Sequence, residues 1–467
     1  MSKKYSSALS MLVSVFFFWG FVAAGNTILI PVFKKSLDLL QWQAQLIEFC
    51  FYIAYTAGAL IYYFAGKVRG RDVLNTIGYK NGLSLGLLIS AIGAFLFMPA
   101  ASFESFPLML AGLFIVGLGF SLQQTAANPL ALSLGSKETA SSRLSMAGGI
   151  NNVGTTIAPI ILSYAIFGNE GTAENTILSL ESVKVPYLLL CAAFVLVAIA
   201  IKFSKIPDKL TDDDGTINTE RLDITKYPNL MLGMLGIFVY VGVEVSTAAN
   251  LSEYLKVEYG KPEDQVAPFV SLFWGSLMIG RWAASVGAFN LPKMWENILR
   301  VAAPLLAFGL FLAINSIKES TELSIFYPYL IPMAILLIAA HVTSNKPQQQ
   351  ILLFSALGIV SLVIGMFSSG MLSIFGFISV GLFCSTLWPC VFDLSLIGLG
   401  KFKSQGSAFL IMMIMGGGVI SLFQGYLADE SLLGIRHSYW VGVACFAYLA
   451  YFGWYMLGRK ATDIASA

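Results

Sequence analysis

Long apolar segments separated by short polar stretches follow one another along the whole chain. Fourteen are long enough to cross the ~30 Å hydrocarbon core of a bilayer as helices. Their predicted ranges are 8–33, 43–66, 80–100, 106–134, 143–168, 185–204, 229–256, 266–289, 295–316, 323–340, 348–367, 371–398, 405–428 and 437–458. The pattern therefore predicts an all-α polytopic membrane protein with 14 transmembrane helices.

The polar stretches alternate in charge, which predicts their orientation. Lys67, Arg69 and Arg71 follow the second segment, and Lys137 and Arg143 separate the fourth from the fifth. The polar stretches after the third and fifth segments carry glutamates instead. Loops rich in Lys and Arg remain in the cytoplasm. With an even number of segments, we expect both chain termini to be cytoplasmic.

The scarcity of charge excludes several classes of function. Charged residues make up 12% of the chain, against about 25% in soluble domains. The chain has 2 histidines and no basic run, so nucleic-acid binding is not expected. None of its 5 cysteines forms a CxxC pair, which argues against a metal site. HExxH does not occur, and we predict neither enzyme activity nor a cofactor.

One polar linker divides the chain into two parts that resemble each other weakly. Residues 205–228 include an acidic stretch with few large apolar side chains, which cannot form a core. We therefore predict an N-terminal six-helix bundle over 1–204 and a C-terminal bundle over 229–467. Each part contains a late proline, then a basic turn, then a glycine cluster, and such repeats are typical of transporters that work by alternating access.

The fourth and fifth segments carry amides where hydrocarbon would surround them. Gln124, Asn128 and Asn151 lie well inside these apolar segments. A buried amide without a partner costs about 2–7 kcal/mol, so such side chains face other helices or a wet cavity. Pro129 removes one backbone donor and is expected to open or kink its helix. Uncharged donors and acceptors at this depth favour a ligand with many hydroxyl groups, and we interpret them as half of a sugar-binding cavity.

Five motifs carry a resemblance to a known family. They are FFFWG at 16–20, TAANP at 125–129, GRW at 280–282, LWP at 387–389 and SQGSAFLIMMIMGGG at 404–418. The chain resembles the fucose:proton symporter family of the major facilitator superfamily, above all its bacterial glucose/galactose branch. The resemblance implies two six-helix bundles around a central sugar site and import of a neutral hexose across the bacterial inner membrane. It also makes residues 295–340 a two-helix insertion.

The resemblance fails at the positions that carry protons. Proton-coupled members have an Asp where this chain has Thr27 and a Glu where it has Gln124. A Gln often found in helix five of the family falls at Gly148, although the Asn three residues later is retained as Asn151. The usual proton carriers therefore cannot be transferred to this chain.

Two other carboxylates lie inside apolar segments, and such groups are functional candidates. Glu244 lies near the middle of the seventh segment and Glu48 lies within the second. We predict that Glu244 couples ion movement to transport or binds the sugar, with Glu48 as the second candidate. No Lys or Arg is expected deep enough to pair with them. Arg281, near the cytoplasmic end of the eighth segment, is predicted to be part of a gate.

Aromatic side chains complete the predicted sugar site, because a ring packs against the C–H groups of a pyranose. Trp19 and Trp388 occupy positions that lie near the cavity in the family, and Tyr52 lies close to Glu48. The predicted substrate-binding set is Gln124, Asn128, Asn151, Trp388, Glu244, Trp19 and Tyr52.

Several alternatives remain open from the sequence. Protons are the expected coupling ion, but Na⁺ coupling, uncoupled uniport and transport of another polar neutral solute are also compatible with these residues. The expected partners are a sugar, H⁺ or Na⁺, and membrane lipids, and the protein is expected to be a monomer.

Overall fold

The computed structural model describes residues 3–37, 41–69, 73–136, 139–167, 180–208, 222–260, 263–289, 291–316, 322–344 and 346–458. Within these ranges the chain is helical and has no strand. The membrane-length helices are α1 (Lys3–Ser36), α2 (Gln41–Arg69), α3 (Tyr79–Ser102), α4 (Phe106–Ser133), α5 (Ala140–Phe167), α6 (Glu181–Lys202), α7 (Pro228–Tyr259), α8 (Glu263–Ser285), α9 (Lys293–Asn315), α10 (Leu323–Val342), α11 (Pro347–Phe367), α12 (Gly370–Ser395), α13 (Gln405–Leu427) and α14 (Gly434–Leu457).

These helices confirm the predicted fold class. Among the described residues, 12 helices are long and apolar enough to cross a membrane. Helix α1 contains a shorter apolar run, Ala8–Ala24, and α5 is the helix that carries the predicted amide Asn151. With α1 and α5, the described helices are consistent with the predicted count of fourteen.

Local sequence signals explain where several helices begin and end. The Ser105 side chain accepts a hydrogen bond from the Leu108 amide at the start of α4, which satisfies one free donor of the first turn. Helix α7 begins at Pro228 and ends before Gly260, whose φ of 60° is left-handed. Proline at the start and glycine just after the end is the asymmetry expected of a helix.

The described chain forms two compact units. The first comprises Met1–Leu134, Val153–Leu222 and Gly400–Met412, so it includes the beginning of α13. Helices α3 and α4 pack closely within it, because a Cβ added to Gly119 would lie 2.4 Å from the Gly86 carbonyl oxygen. Residues 209–221 of the predicted linker lie outside the described residues, and the domain boundaries drawn from that linker stay a prediction.

The second unit comprises Gly135–Asn152, Asp223–Leu399 and Met413–Ala467. It therefore contains the beginning of α5. The two helices predicted as an insertion, α9 and α10, pack in this unit. Tyr329 of α10 is hydrogen-bonded to Ser276 of α8 over 2.7 Å, and the Phe326 ring meets those of Phe269 and Phe311 at 5.2 and 5.3 Å.

Several of the predicted continuous segments are interrupted in the described structure. Helix α12 is broken between Cys384 and Leu387, and a 3₁₀ turn at Met413–Met415 interrupts α13. By contrast, α4 continues through Pro129 to Ser133, so the opening expected there is not observed. Pro129 lies in the last turns of the helix, where its missing N–H removes a single intrahelical bond.

Candidate functional site

In the first unit, two of the predicted amides lie one turn apart on α4. Gln124 Nε2 donates to the Tyr55 hydroxyl of α2 over 3.2 Å. Asn128 is fully buried, and neither its nitrogen nor its oxygen has a hydrogen-bond partner. An unsatisfied buried amide costs about 1–3 kcal/mol. Asn128 is therefore a strong candidate to bind a polar ligand or a water molecule.

The indole of Trp19 takes part in a hydrogen-bond network within the first unit. Its Nε1 donates to Gln123 Oε1 over 2.9 Å, and Gln123 Nε2 donates in turn to Ser90 Oγ over 3.0 Å. These bonds join α1, α4 and α3 within the first unit. The indole donor is therefore occupied, and the side chain is only 5% exposed.

Tyr52 and Glu48 both lie on α2. Tyr52 is half-buried, with its ring centroid 5.9 Å from that of Phe51. The side chain of Glu48 falls outside the described residues, as does that of Thr27 on α1. The assignment of Glu48 therefore stays a prediction.

In the second unit, Glu244 lies midway along α7 and has two polar neighbours. The Tyr240 hydroxyl donates to Glu244 Oε2, and Arg281 Nη2 donates to the same hydroxyl over 3.3 Å. Arg281 Nη2 lies 3.8 Å from Glu244 Oε2, and the two side chains are 12% and 15% exposed. A carboxylate, a phenol and a guanidinium therefore form one largely buried cluster.

The expectation that no cation could reach Glu244 was wrong. Cα–Cβ bonds tilt toward the N-terminus of their helix. Because α7 and α8 are consecutive helices that run in opposite directions, Glu244 leans toward the level of Arg281 and Arg281 leans toward that of Glu244. The length of the arginine side chain covers the remaining distance.

Arg281 also binds α12 and the beginning of α5. Its Nε donates to the Ser385 carbonyl oxygen over 3.1 Å, and its Nη1 donates to Asn152 Oδ1 over 2.7 Å. In an unbroken helix the Ser385 carbonyl would accept from the amide four residues later. That residue is Pro389, which has no N–H. The proline therefore leaves an acceptor for the guanidinium.

Two glycines of α5 leave space for the side chains of Arg281 and Trp282. A Cβ added to Gly148 would lie 3.2 Å from Arg281 Cδ, and one added to Gly149 would lie 2.9 Å from Trp282 Cδ1. Trp282 Nε1 donates to the Gly149 carbonyl over 3.4 Å. Gly148 is the position where the family often has Gln, and a side chain that long would meet Arg281.

The other predicted residues of the second unit are partly accessible. Asn151 is half-buried on α5, immediately before Asn152. Trp388 is also half-buried, and its ring stacks on that of Phe392 at a centroid distance of 4.9 Å. Both can offer part of their surface to a ligand.

Sequence reasoning missed Tyr240, Asn152 and Ser385 as members of the Glu244 cluster. Tyr240 had a local signal, because residues four apart on a helix lie on the same face. Asn152 and Ser385 had none, because their contacts with Arg281 depend on packing between helices.

Two curated relatives show the family of the chain. No protein-family model matches the chain. The chain is 33% identical over 460 residues to the glucose/galactose transporter of Brucella abortus biovar 1 (strain 9-941), covering 98% of this chain and 95% of the relative. It is 25% identical over 450 residues to the L-fucose-proton symporter of Escherichia coli (strain K12), covering 92% and 89%.

A solved structure has the same fold. The crystal structure of FucP, a major facilitator superfamily transporter in the outward conformation, matches with a TM-score of 0.72 and 24% identity, covering 98% of this chain and 100% of FucP. Together with the 33% identity over almost the full length of both chains, this places the protein among membrane transporters rather than enzymes. The chain belongs to the glucose/galactose transporter branch of the fucose:proton symporter family, within the major facilitator superfamily.

Proposed function

We propose that this protein imports a neutral hexose across the bacterial inner membrane together with protons, by alternating access. The family supports the sugar as substrate. The observation that supports proton coupling is the position of Glu244, an ionisable group midway along a membrane helix in contact with Tyr240 and Arg281. Ionisable groups at such depth are costly and mark ion pathways.

The sugar is bound mainly by uncharged groups. Gln124 and Asn128 of the first unit supply amides, and Asn128 has both side-chain polar atoms without a partner. Asn151 and Trp388 of the second unit supply an amide and a ring face. Amides that hydrogen-bond hydroxyls, beside rings that pack on C–H groups, are the chemistry expected of a pyranose site. Trp19, Tyr52 and Glu244 complete the proposed set.

The coupling ion is a proton rather than Na⁺. A hard cation is held by several oxygen ligands. Near Glu244 the Arg281 guanidinium, 3.8 Å from Oε2, already supplies the positive charge. A proton binds a single carboxylate oxygen and needs no further ligand.

Protonation of Glu244 removes the electrostatic attraction between its carboxylate and Arg281. With Glu244 ionised, Arg281 has a carboxylate partner and binds Asn152 of α5 at the same time. When an O–H bond forms on Glu244, the attraction disappears and the buried guanidinium loses its counter-charge. We assign Arg281 the role of a gate latch on this basis. The protein acts as a monomer in the lipid bilayer, with both termini in the cytoplasm.

Sugar accumulation by purified protein in liposomes tests the function. Radiolabelled glucose and galactose are offered under an inward proton gradient, an inward Na⁺ gradient, or no gradient, and counterflow is measured without any gradient. We expect counterflow of both sugars without a gradient and accumulation only with the proton gradient. Counterflow without accumulation would reject coupling, accumulation with Na⁺ alone would reject the proton, and no hexose counterflow would reject the substrate class.

A further inference from the structure

The Tyr240 hydroxyl connects two groups that form an ion pair but are too far apart for a direct hydrogen bond. Arg281 Nη2 and Glu244 Oε2 are 3.8 Å apart, which is beyond hydrogen-bond distance. The hydroxyl bridges them: it accepts from Arg281 over 3.3 Å and donates to Glu244. Tyr240 is 1% exposed, so water has little access to replace this bridge.

The Nη1 and Nε atoms of the same guanidinium donate hydrogen bonds to α5 and α12. Its Nη1 binds Asn152 at the end of the α5 portion that belongs to the second unit, and its Nε binds the Ser385 carbonyl at the α12 break. A planar guanidinium has five donors in a fixed arrangement. A shift of the Nη2 side therefore also moves the donors that hold α5 and α12.

We propose that Tyr240 is a positioning residue that transmits the protonation state of Glu244 to Arg281, and through Arg281 to residues 140–152 of α5. The inference rests on the proposed function, in which Glu244 takes up the proton. An ionised Glu244 accepts a hydrogen bond from the Tyr240 hydroxyl, so the phenol oxygen can accept one from Arg281. A protonated Glu244 becomes a donor and competes with Arg281 for the same oxygen.

Glu244 is the group of this cluster to which the proposed function assigns the coupled proton. In the described structure it interacts with Tyr240 on α7, Arg281 on α8 and the buried Cys384 thiol on α12. The next thiol, Cys445, is on α14 beside Cys384. Helix α13 has no charged residue between 413 and 427. Arginine remains protonated in proteins, and the phenol and thiols are neutral.

The substitution Tyr240→Phe tests the inference, because it removes the bridge and retains the ring, Glu244 and Arg281. We expect counterflow to continue, since exchange needs no net proton movement. Accumulation driven by the proton gradient should fall at least tenfold, and the pH profile of transport should shift. The matched control is Tyr329→Phe, which removes another buried hydroxyl of the second unit, bonded to Ser276, and should accumulate sugar like the wild type.

The outcomes separate this inference from the proposed function. Failure of the wild type to accumulate sugar rejects the proposed function itself. If the wild type accumulates sugar and Tyr240→Phe matches it in both accumulation and pH profile, the positioning role is wrong. If Tyr240→Phe does not reach the membrane, Asn152→Ala removes the far end of the same connection and should uncouple transport. Normal coupling in Asn152→Ala would then overturn the inference.

Discussion

The substitution Arg281→Lys separates the charge of Arg281 from its geometry. Lysine retains the positive charge, but its single ammonium cannot reproduce donors at both ends of a guanidinium. The Nε bond to the Ser385 carbonyl, 3.1 Å long, is lost. Because Pro389 supplies no amide, that buried carbonyl then has no donor. A hydrogen bond from a charged group contributes about 1.5–3 kcal/mol, and we expect a loss of about 2–3 kcal/mol of stability.

A double-mutant cycle tests whether the missing amide of Pro389 causes this loss of stability. The substitution Pro389→Ala restores the amide that an uninterrupted α12 would offer to Ser385. In this background Arg281→Lys should cost about 1–2 kcal/mol less, a coupling typical of residues that share a partner. The Arg436→Lys substitution is the control, because Arg436 binds Glu258 over 3.2 Å and should cost the same in both backgrounds.

The buried thiols provide the assay. Cys384, Cys390 and Cys445 are buried and free, so a thiol-reactive fluorescent dye reports their exposure as purified protein unfolds on heating in detergent. The unfolding midpoint of Arg281→Lys should lie below that of the wild type, and the decrease should be smaller with Pro389→Ala. An equal decrease in both backgrounds would refute the link between Pro389 and Arg281.

Two further predictions each compare two positions of the same residue type that have different surroundings. Gln123→Leu should lower the unfolding midpoint, because it removes the bonds that join three helices, whereas Gln124→Ala should weaken sugar binding, measured by competition, with little change in the midpoint. The opposite result would exchange their roles. Gly154→Ala should destabilise the protein, since its Cβ would lie 2.3 Å from the Phe17 carbonyl oxygen, whereas Gly309→Ala, with nothing within 4 Å, should stabilise it by about 0.5–1 kcal/mol. Equal midpoints would contradict this account of the packing.

The helices were predictable because the length of an apolar run is a local property. The interruptions of α12 and α13 were not, because a break is stable only when its free backbone groups find partners elsewhere. Pro389 indicates which carbonyl is free, and only the packed structure identifies Arg281 as its donor. In α4, Pro129 gives the same local signal without interrupting the helix.

The candidate site was predictable by residue type and less so by partner. Glu244 stood out because a carboxylate in an apolar run is costly. Its pairing with Arg281 was missed, because depth along the sequence ignores the direction in which side chains extend from antiparallel helices. Asn152 was equally hidden, since nothing local distinguishes it from Asn151.

The most direct test of the central claim, that Glu244 carries the coupled proton, is sugar-induced proton uptake. External pH is recorded when galactose or glucose is added to proteoliposomes containing wild type, Glu244→Gln, Glu48→Gln or Glu253→Gln. Glu253 is the control, because it is an exposed position on α7, the helix that carries Glu244. We predict that Glu244→Gln alone exchanges sugar without taking up protons. Two results would contradict the claim. Either Glu244→Gln takes up as many protons as the wild type, or proton uptake is lost only in Glu48→Gln.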